Sequence, residues 1–181
     1  MNRAVFLDRD GVINKTLFKD GVPIPPQNLE ELEILPGVET ALNNFKQRGF
    51  LLIVVTNQPD VSRGIISIAE VDRINNFLLN SLPIDAIFVC THDNQDYCSC
   101  RKPKPGLLLD AAKQFQIETK SSFLVGDRWR DIEAGQAAGC ACYFLDYDYS
   151  EKSPPEPFKR VYSLHEASHE ILGDGRNGQI T

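Results

Sequence analysis

No stretch of this 181-residue chain approaches the roughly 20 consecutive apolar residues that a membrane helix needs, so none is expected. Low-complexity tracts and internal repeats are missing, which removes a disordered segment or a solenoid from consideration. Basic charge is in deficit: 19 Lys and Arg stand against 25 Asp and Glu, for a net charge of −6. A general binder of nucleic acid or membrane surfaces needs a basic face, so neither partner is expected. No apolar leader is expected either. Met1-Asn2-Arg3 is followed only by Ala4 to Leu7 before the first carboxylate, too little for the core of a signal peptide, and the expected address is the cytoplasm. Cysteine is sparse and odd in number, at five, and a reducing compartment disfavours structural disulfides.

What remains is an ordinary globular composition, 42% hydrophobic and 24% charged, at a length that fits one domain spanning residues 1–181. Strand-length apolar runs alternate with patterns of helical period. Ala4 to Leu7, Phe50 to Val55, Ala86 to Val89, Phe123 to Val125 and Ala141 to Leu145 read as buried strands. Pro36 to Arg48, Ile68 to Leu82, Gly106 to Phe115 and Asp131 to Ala138 read as the helices between them, with a short strand at Arg160 to Tyr162 and a last helix at Leu164 to Leu172. That alternation predicts an α/β fold, a doubly wound, Rossmann-like parallel sheet with helices on both faces. Such sheets bind ligands at the carboxyl ends of their strands, where strand order reverses.

Polar residues sit at those ends. Asp8-Arg9-Asp10-Gly11 follows the first strand directly. Asp8 and Asp10, two apart, can point the same way, and Gly11 lets the chain turn. Two carboxylates held close need a cation or a shared proton, and Mg²⁺ meets that need, with Asp127 as a third oxygen ligand. An Asp-rich turn alone would be an ordinary strand end. After the second strand, Thr56 offers a hydroxyl and Asn57-Gln58 offer amide donors suited to phosphate oxygens, although capping of the next element would use them too. Arg101, Lys102 and Lys104, with Arg128 and Arg130, form a basic island in an acidic chain.

Together, Asp8-Arg9-Asp10-Gly11, Thr56-Asn57, Lys102 and Gly126-Asp127 with Asp131 resemble the four motifs of the haloacid dehalogenase superfamily of phosphatases, over about Val5 to Leu145. The resemblance implies that Asp8 is a nucleophile forming an aspartyl phosphate and that Asp10 serves as general acid and then base. It implies further that Thr56 and Lys102 hold the transferring phosphoryl group, and that Asp8, the Asp10 carbonyl and Asp127 hold Mg²⁺. Asp131 is expected to position Lys102 or the metal waters.

Cys90-x-His92 and Cys98-x-Cys100, separated by five residues, offer four ligands for a tetrahedral structural Zn²⁺ in the stretch 90–100. Free thiols or a redox disulfide are the rivals, and the disulfide would leave His92 unexplained. Closing that loop on a metal would fix Arg101 and Lys102, which follow immediately. With the zinc loop, the sequence is similar to the branch of the superfamily that holds D-glycero-D-manno-heptose 1,7-bisphosphate phosphatase and histidinol phosphatase. In that branch the residue matching Arg101 contacts substrate phosphate, Arg128 would lie at the mouth, and Arg63, in the matching Arg63-Gly64, is expected to bind substrate. Pro59-Asp60 and the Pro-rich loop from Lys15 to Asn28 depart from the pattern, in the segments that would set substrate identity.

Only about twenty residues separate Asn14 from the next helix, too few for a large cap domain, so an open site walled by short loops is expected. The expected substrate is a small phosphorylated metabolite, a sugar phosphate before histidinol phosphate, handled by a monomer. A catalytically silent binding protein of the same fold is the rival from another class. Trp129 either stacks on substrate or packs at a helix start. His165-Glu166-Ala167-Ser168-His169 matches H-E-x-x-H, yet it lies on a terminal helix with little chain left for a third ligand. Cys140 and Cys142 read as small core residues.

Overall fold

The computed structural model describes residues 1–19 and 21–173. Six strands form one all-parallel sheet: β1 (Ala4–Leu7), β4 (Leu51–Asn57), β5 (Ala86–Cys90), β6 (Phe123–Gly126), β7 (Ala141–Leu145) and β8 (Lys159–Val161). Their spatial order is β5-β4-β1-β6-β7-β8, so the sheet grows one way from β1 through β4 and the other way through β6. The reversal point is the end of β1, where Asp8 stands.

Both faces of the strands are buried, as the unbroken apolar runs require. Val5, Leu7, Leu52 and Val54 face α1 (Val38–Gln47), α2 (Ile68–Ser81) and α5 (Leu164–Leu172). Ala4, Phe6, Ile53 and Val55 face α3 (Gly106–Phe115) and α4 (Trp129–Ala138). The period-2 alternation along β1 and β4 thus divides the core into two halves. Local chemistry sets the helix ends. The Ser67 hydroxyl accepts from the Glu70 amide to start α2, and Ser163 does the same from Glu166 for α5.

The structure extends the sequence reading in three places. β4 runs on to Asn57, because Gln58 still donates its amide to the Cys90 carbonyl (2.7 Å). α4 begins at Trp129 rather than Asp131, since the Asp131 carboxylate turns back to accept from the Arg128 amide (2.9 Å). The loop between Asn14 and α1 contains an antiparallel hairpin, β2 (Leu17–Lys19) and β3 (Val22–Ile24), in which Pro23 pairs with Phe18. A two-stranded ribbon tolerates a proline on its edge, so the prolines there did not exclude strands. Among the described residues that hairpin and a short 3-10 turn at Leu29–Glu31 are all that separates β1 from α1, and no large cap is present.

Candidate active site

The carboxyl ends of β1, β4, β5 and β6 meet in one place. Asp8 is 8% exposed and lines one cleft together with Asp10, while the Arg9 side chain between them is wholly buried. Arg9 donates to Asn75 of α2 (3.0 Å) and to Asp10 Oδ1 (3.1 and 3.2 Å), and Asn14 donates to the same oxygen (2.9 Å). Gln58 holds the other Asp10 oxygen at 2.7 Å and also reaches the Thr56 hydroxyl at 2.9 Å. Asp10 is therefore fixed at both oxygens before any ligand arrives.

Gly11 has φ +89°, and a Cβ there would collide with the Asp127 carboxylate. The turn after β1 thus passes directly against the end of β6, which only glycine permits.

Lys102 is 2% exposed. Its ammonium donates to Asp8 Oδ1 (2.8 Å) and to the Val55 carbonyl (2.7 Å), and lies 2.6 Å from Asp131 Oδ1. Its backbone is gripped by Asn57: the Asn57 amide donates to the Lys102 carbonyl, and the Lys102 amide donates back, both at 3.1 Å. The side chains of Asn57 and Gln58, expected to face phosphate, are thus engaged in holding Lys102 and Asp10. Asp131 accepts from Lys102 with one oxygen and from the Arg128 amide with the other, as a positioning residue would.

Asp127 is 1% exposed. Its Oδ2 accepts from the Tyr149 hydroxyl (2.9 Å), and its Oδ1 has no hydrogen-bond partner. A buried carboxylate oxygen without a partner is costly unless something else occupies it. Ligand oxygens of Asp8, Asp127 and Asp131 all lie within 4.8 Å of one another. Burial pushes the Asp8 carboxyl up to about 7, with the Asp131 charge adding to it and Lys102 opposing. Burial and then Asp8 drive Asp127 well above the usual carboxylate range. Burial works against the Lys102 ammonium, but Asp131 and Asp8 outweigh it and keep its pKa above that of an ordinary lysine. Lys102 pairs with Asp8 and Asp131, and among the described residues Asp127 has no ion pair, so the cluster has room for more positive charge. A divalent magnesium fits that donor set.

A second donor set follows β5. Cys90 Sγ lies 3.7 Å from Cys98 Sγ and 3.2 Å from Cys100 Sγ, and His92 Nδ1 lies 3.6 Å from Cys90 Sγ and 3.4 Å from Cys100 Sγ. All four ligand atoms fall within 4.8 Å, a spacing a tetrahedral zinc could bridge. Burial of Cys98 resists ionisation, yet the backbone at Arg101 and the Cys100 and Cys90 sulfurs bring its thiol down to about 7. The loop is braced from outside as well: Lys104 donates to the Cys98 carbonyl (2.6 Å), and Arg101 donates to Asn94 (3.0 Å) and to the His92 carbonyl (3.1 Å).

In front of these groups lies a cleft of about 280 Å³. The hairpin β2–β3 supplies one wall through Val22 to Pro25, and Arg63, Arg101 and Arg128 line the others. Arg63 is tied to Asp93 by two hydrogen bonds (2.7 and 2.9 Å) and to Asp60 (3.1 Å). Arg128 pairs with Glu151 and sits over the Tyr149 ring.

Several contributors carry no signal in a single motif. Asn14 anchors Asp10 and Asn75 anchors Arg9, while Tyr147 donates to the Gly11 carbonyl (3.0 Å) and Tyr149 to Asp127. The strand-end rule, applied to β7 as it was to the earlier strands, points at Asp146 to Tyr149. Trp129 opens α4 with Arg130 and Lys152 against its ring, so the packing reading describes it. Cys140 and Cys142 lie in the core. His165 and His169 face each other on α5, 3.3 Å apart, and no third metal-ligand group joins them among the described residues.

Comparison with known proteins bears on the family and the fold. Residues 25–139 match the haloacid dehalogenase-like hydrolase family. A D-glycero-beta-D-manno-heptose-1,7-bisphosphate 7-phosphatase of Helicobacter pylori is 37% identical over 140 residues, 74% of this chain and 78% of that protein. A D-glycero-alpha-D-manno-heptose-1,7-bisphosphate 7-phosphatase of Campylobacter jejuni is 32% identical over 172 residues, 91% of this chain and 92% of its own length. A crystal structure of the D,D-heptose 1,7-bisphosphate phosphatase of B. bronchiseptica, complexed with magnesium and phosphate, superposes with a TM-score of 0.82 at 28% identity, covering 96% of this chain and 99% of that one.

Proposed function

Since the chain belongs to the haloacid dehalogenase-like hydrolases and is a phosphatase, we propose that it removes one phosphate from a sugar bisphosphate through a phosphoryl group carried on Asp8. The substrate class best supported is D-glycero-D-manno-heptose 1,7-bisphosphate, with the 7-phosphate released. The observation that carries the reading is the convergence of Asp8, Asp127 and Lys102 at the strand-order reversal, with a buried Asp127 oxygen left unpartnered.

Asp8, Asp127 and the Asp10 backbone carbonyl would hold Mg²⁺, which when bound offsets the like charges of carboxylate and phosphate. The Asp8 carboxylate attacks phosphorus while the ester oxygen departs. Lys102, pinned between Asp8 and Asp131, offers a permanent positive charge to the equatorial oxygens, and Thr56 offers its hydroxyl. Asp10 gives a proton to the leaving alkoxide and later takes one from the water that cleaves the acyl phosphate. Arg9, Asn14 and Gln58 keep it aimed throughout both steps. Zn²⁺ on Cys90, His92, Cys98 and Cys100 would hold the loop that delivers Arg101 and Lys102. The five thiols are free, which suits the cytoplasm, where we place a monomeric enzyme. Among the described residues no helix is long and apolar enough to cross a membrane.

Release of inorganic phosphate from both anomers of heptose 1,7-bisphosphate, from histidinol phosphate and from simple sugar monophosphates tests the reading, each with Mg²⁺ and with a chelator. Magnesium-dependent turnover that is fastest on a heptose bisphosphate is expected. Faster release from histidinol phosphate would reverse the substrate assignment, and no release from any ester would favour a binding protein.

Tyr149→Phe tests the support of Asp127. It removes only the hydroxyl and keeps the ring against Phe18 and Arg128. Losing the partner of a metal-ligating carboxylate costs about 10- to 100-fold in metal affinity, so a rise of at least tenfold in the Mg²⁺ dissociation constant by calorimetry is expected. An unchanged Mg²⁺ titration would remove Tyr149 from the site.

A further inference from the structure

The guanidinium groups that face the cleft differ in how much of their charge is already spoken for. Arg63 has Asp93 and Asp60, Arg128 has Glu151, and Arg101 has Asn94, the His92 carbonyl and Asp93 at 3.7 Å. Arg130 also lines the cleft, and among the described residues no carboxylate lies within ion-pair distance of it. What holds Arg130 is the Trp129 ring, 4.5 Å from the guanidinium carbon to the centroid. That ring is shared with Lys152, whose ammonium lies 3.5 Å from the same centroid. A cation–π contact at a solvent-accessible site is weak beside a charge-assisted hydrogen bond, so an anion can draw Arg130 off the ring.

Arg101 and Arg130 line the same cleft. A guanidinium held only by a ring, in a cleft that other arginines also line, favours an oxyanion with several acceptor oxygens. The phosphoryl site itself is already furnished by Lys102 and Thr56, so the anion that answers Arg130 is a second one on the same molecule.

We propose that Arg130 is a specificity-determining residue, engaging the phosphate that is not removed and so making the cleft prefer a bisphosphate over a monophosphate. This rests on the sugar-phosphatase reading and deepens it. Nothing in the four-motif pattern requires arginine at this place. Arg130 occupies the first turn of α4, one residue before Asp131, and so is carried by the same rigid helix that positions Lys102.

The test compares the full chain with Arg130→Gln and Arg130→Lys on matched pairs: a sugar bisphosphate and the same sugar bearing only the scissile phosphate. For Arg130→Gln, kcat/KM on the bisphosphate is expected to fall about 10- to 100-fold, chiefly through KM. That fall should exceed the change on the monophosphate by at least about fivefold, with Arg130→Lys between the two, since it keeps the charge and loses the planar fork. Equal losses on both partners of a pair, or an undiminished bisphosphate preference, would overturn the proposal. If the wild-type chain hydrolyses neither partner, the phosphatase reading fails separately. Calorimetric binding of the same two ligands then decides Arg130: affinity lost for the bisphosphate alone supports it, and equal affinities sink it.

Discussion

Replacing Asp8 by asparagine is expected to lower phosphate release by about 10⁴-fold or more, the scale on which enzymes lose turnover when their nucleophile is removed. The amide is nearly isosteric and its oxygen can still accept from Lys102, so the loss isolates nucleophilic attack from packing. A residual rate within tenfold of wild type would rule out a phosphoryl group carried on this residue.

The same substitution should affect stability in the opposite direction when metal is withheld. Asp8 moves from an ordinary 3.8 to about 7 on folding, chiefly through burial and then the Asp131 charge. Between those values the folded chain binds more protons than the unfolded one, so this residue's contribution to stability declines as pH rises from about 4 to 7. Asparagine has no such titration. With a chelator at pH 8, Asp8→Asn is therefore expected to melt a few degrees above wild type, the difference narrowing towards pH 5. Saturating Mg²⁺ should shrink or invert the gap, because the carboxylate's charge is then matched. A mutant that melts below wild type at every pH in chelator would contradict the electrostatic account.

The second large effect is expected at the cysteine loop. Cys100→Ser should reduce bound zinc from about one equivalent to less than half by elemental analysis, and phosphate release by about 10- to 100-fold, as when other supports of a functional site are removed. Cys100 immediately precedes Arg101 and Lys102, and Lys102 must reach Asp8 and Asp131 across the site. The loss is partial because Asn57 grips the Lys102 backbone independently. Protease sensitivity within residues 91–101 should rise in parallel. Cys142→Ser is the contrast: that thiol is buried in β7, four places along the sheet from β5, whose end carries Cys90, so zinc content should survive it. Full zinc content in Cys100→Ser would refute the ligand assignment.

The sheet and its helices were legible because their apolar patterns are long and their breakers well placed, as with Gly139 after α4. The charged cluster was legible because chemistry at strand ends obeys topology: Asp8, Thr56 and Asp127 stand at the carboxyl ends of parallel strands, and β4, β1 and β6 lie side by side. The hairpin was hidden, since three-residue strands containing Pro23 give no period to read. Side-chain partners were hidden for another reason. Whether Asn57 faces a phosphate or grips Lys102 depends on a rotamer and on residue 102 arriving from 45 positions away. Arg9 is the clearest case, an arginine between two aspartates that points wholly inward and is 0% exposed.

The hairpin β2–β3 pairs with none of the six parallel strands, yet its residues form a wall of the cleft. Exchange of residues 22–25 would redraw the entrance, whereas Phe18 on the other strand packs on the Tyr149 ring whose hydroxyl holds Asp127, so the ribbon ties the shape of the mouth to the buried carboxylates.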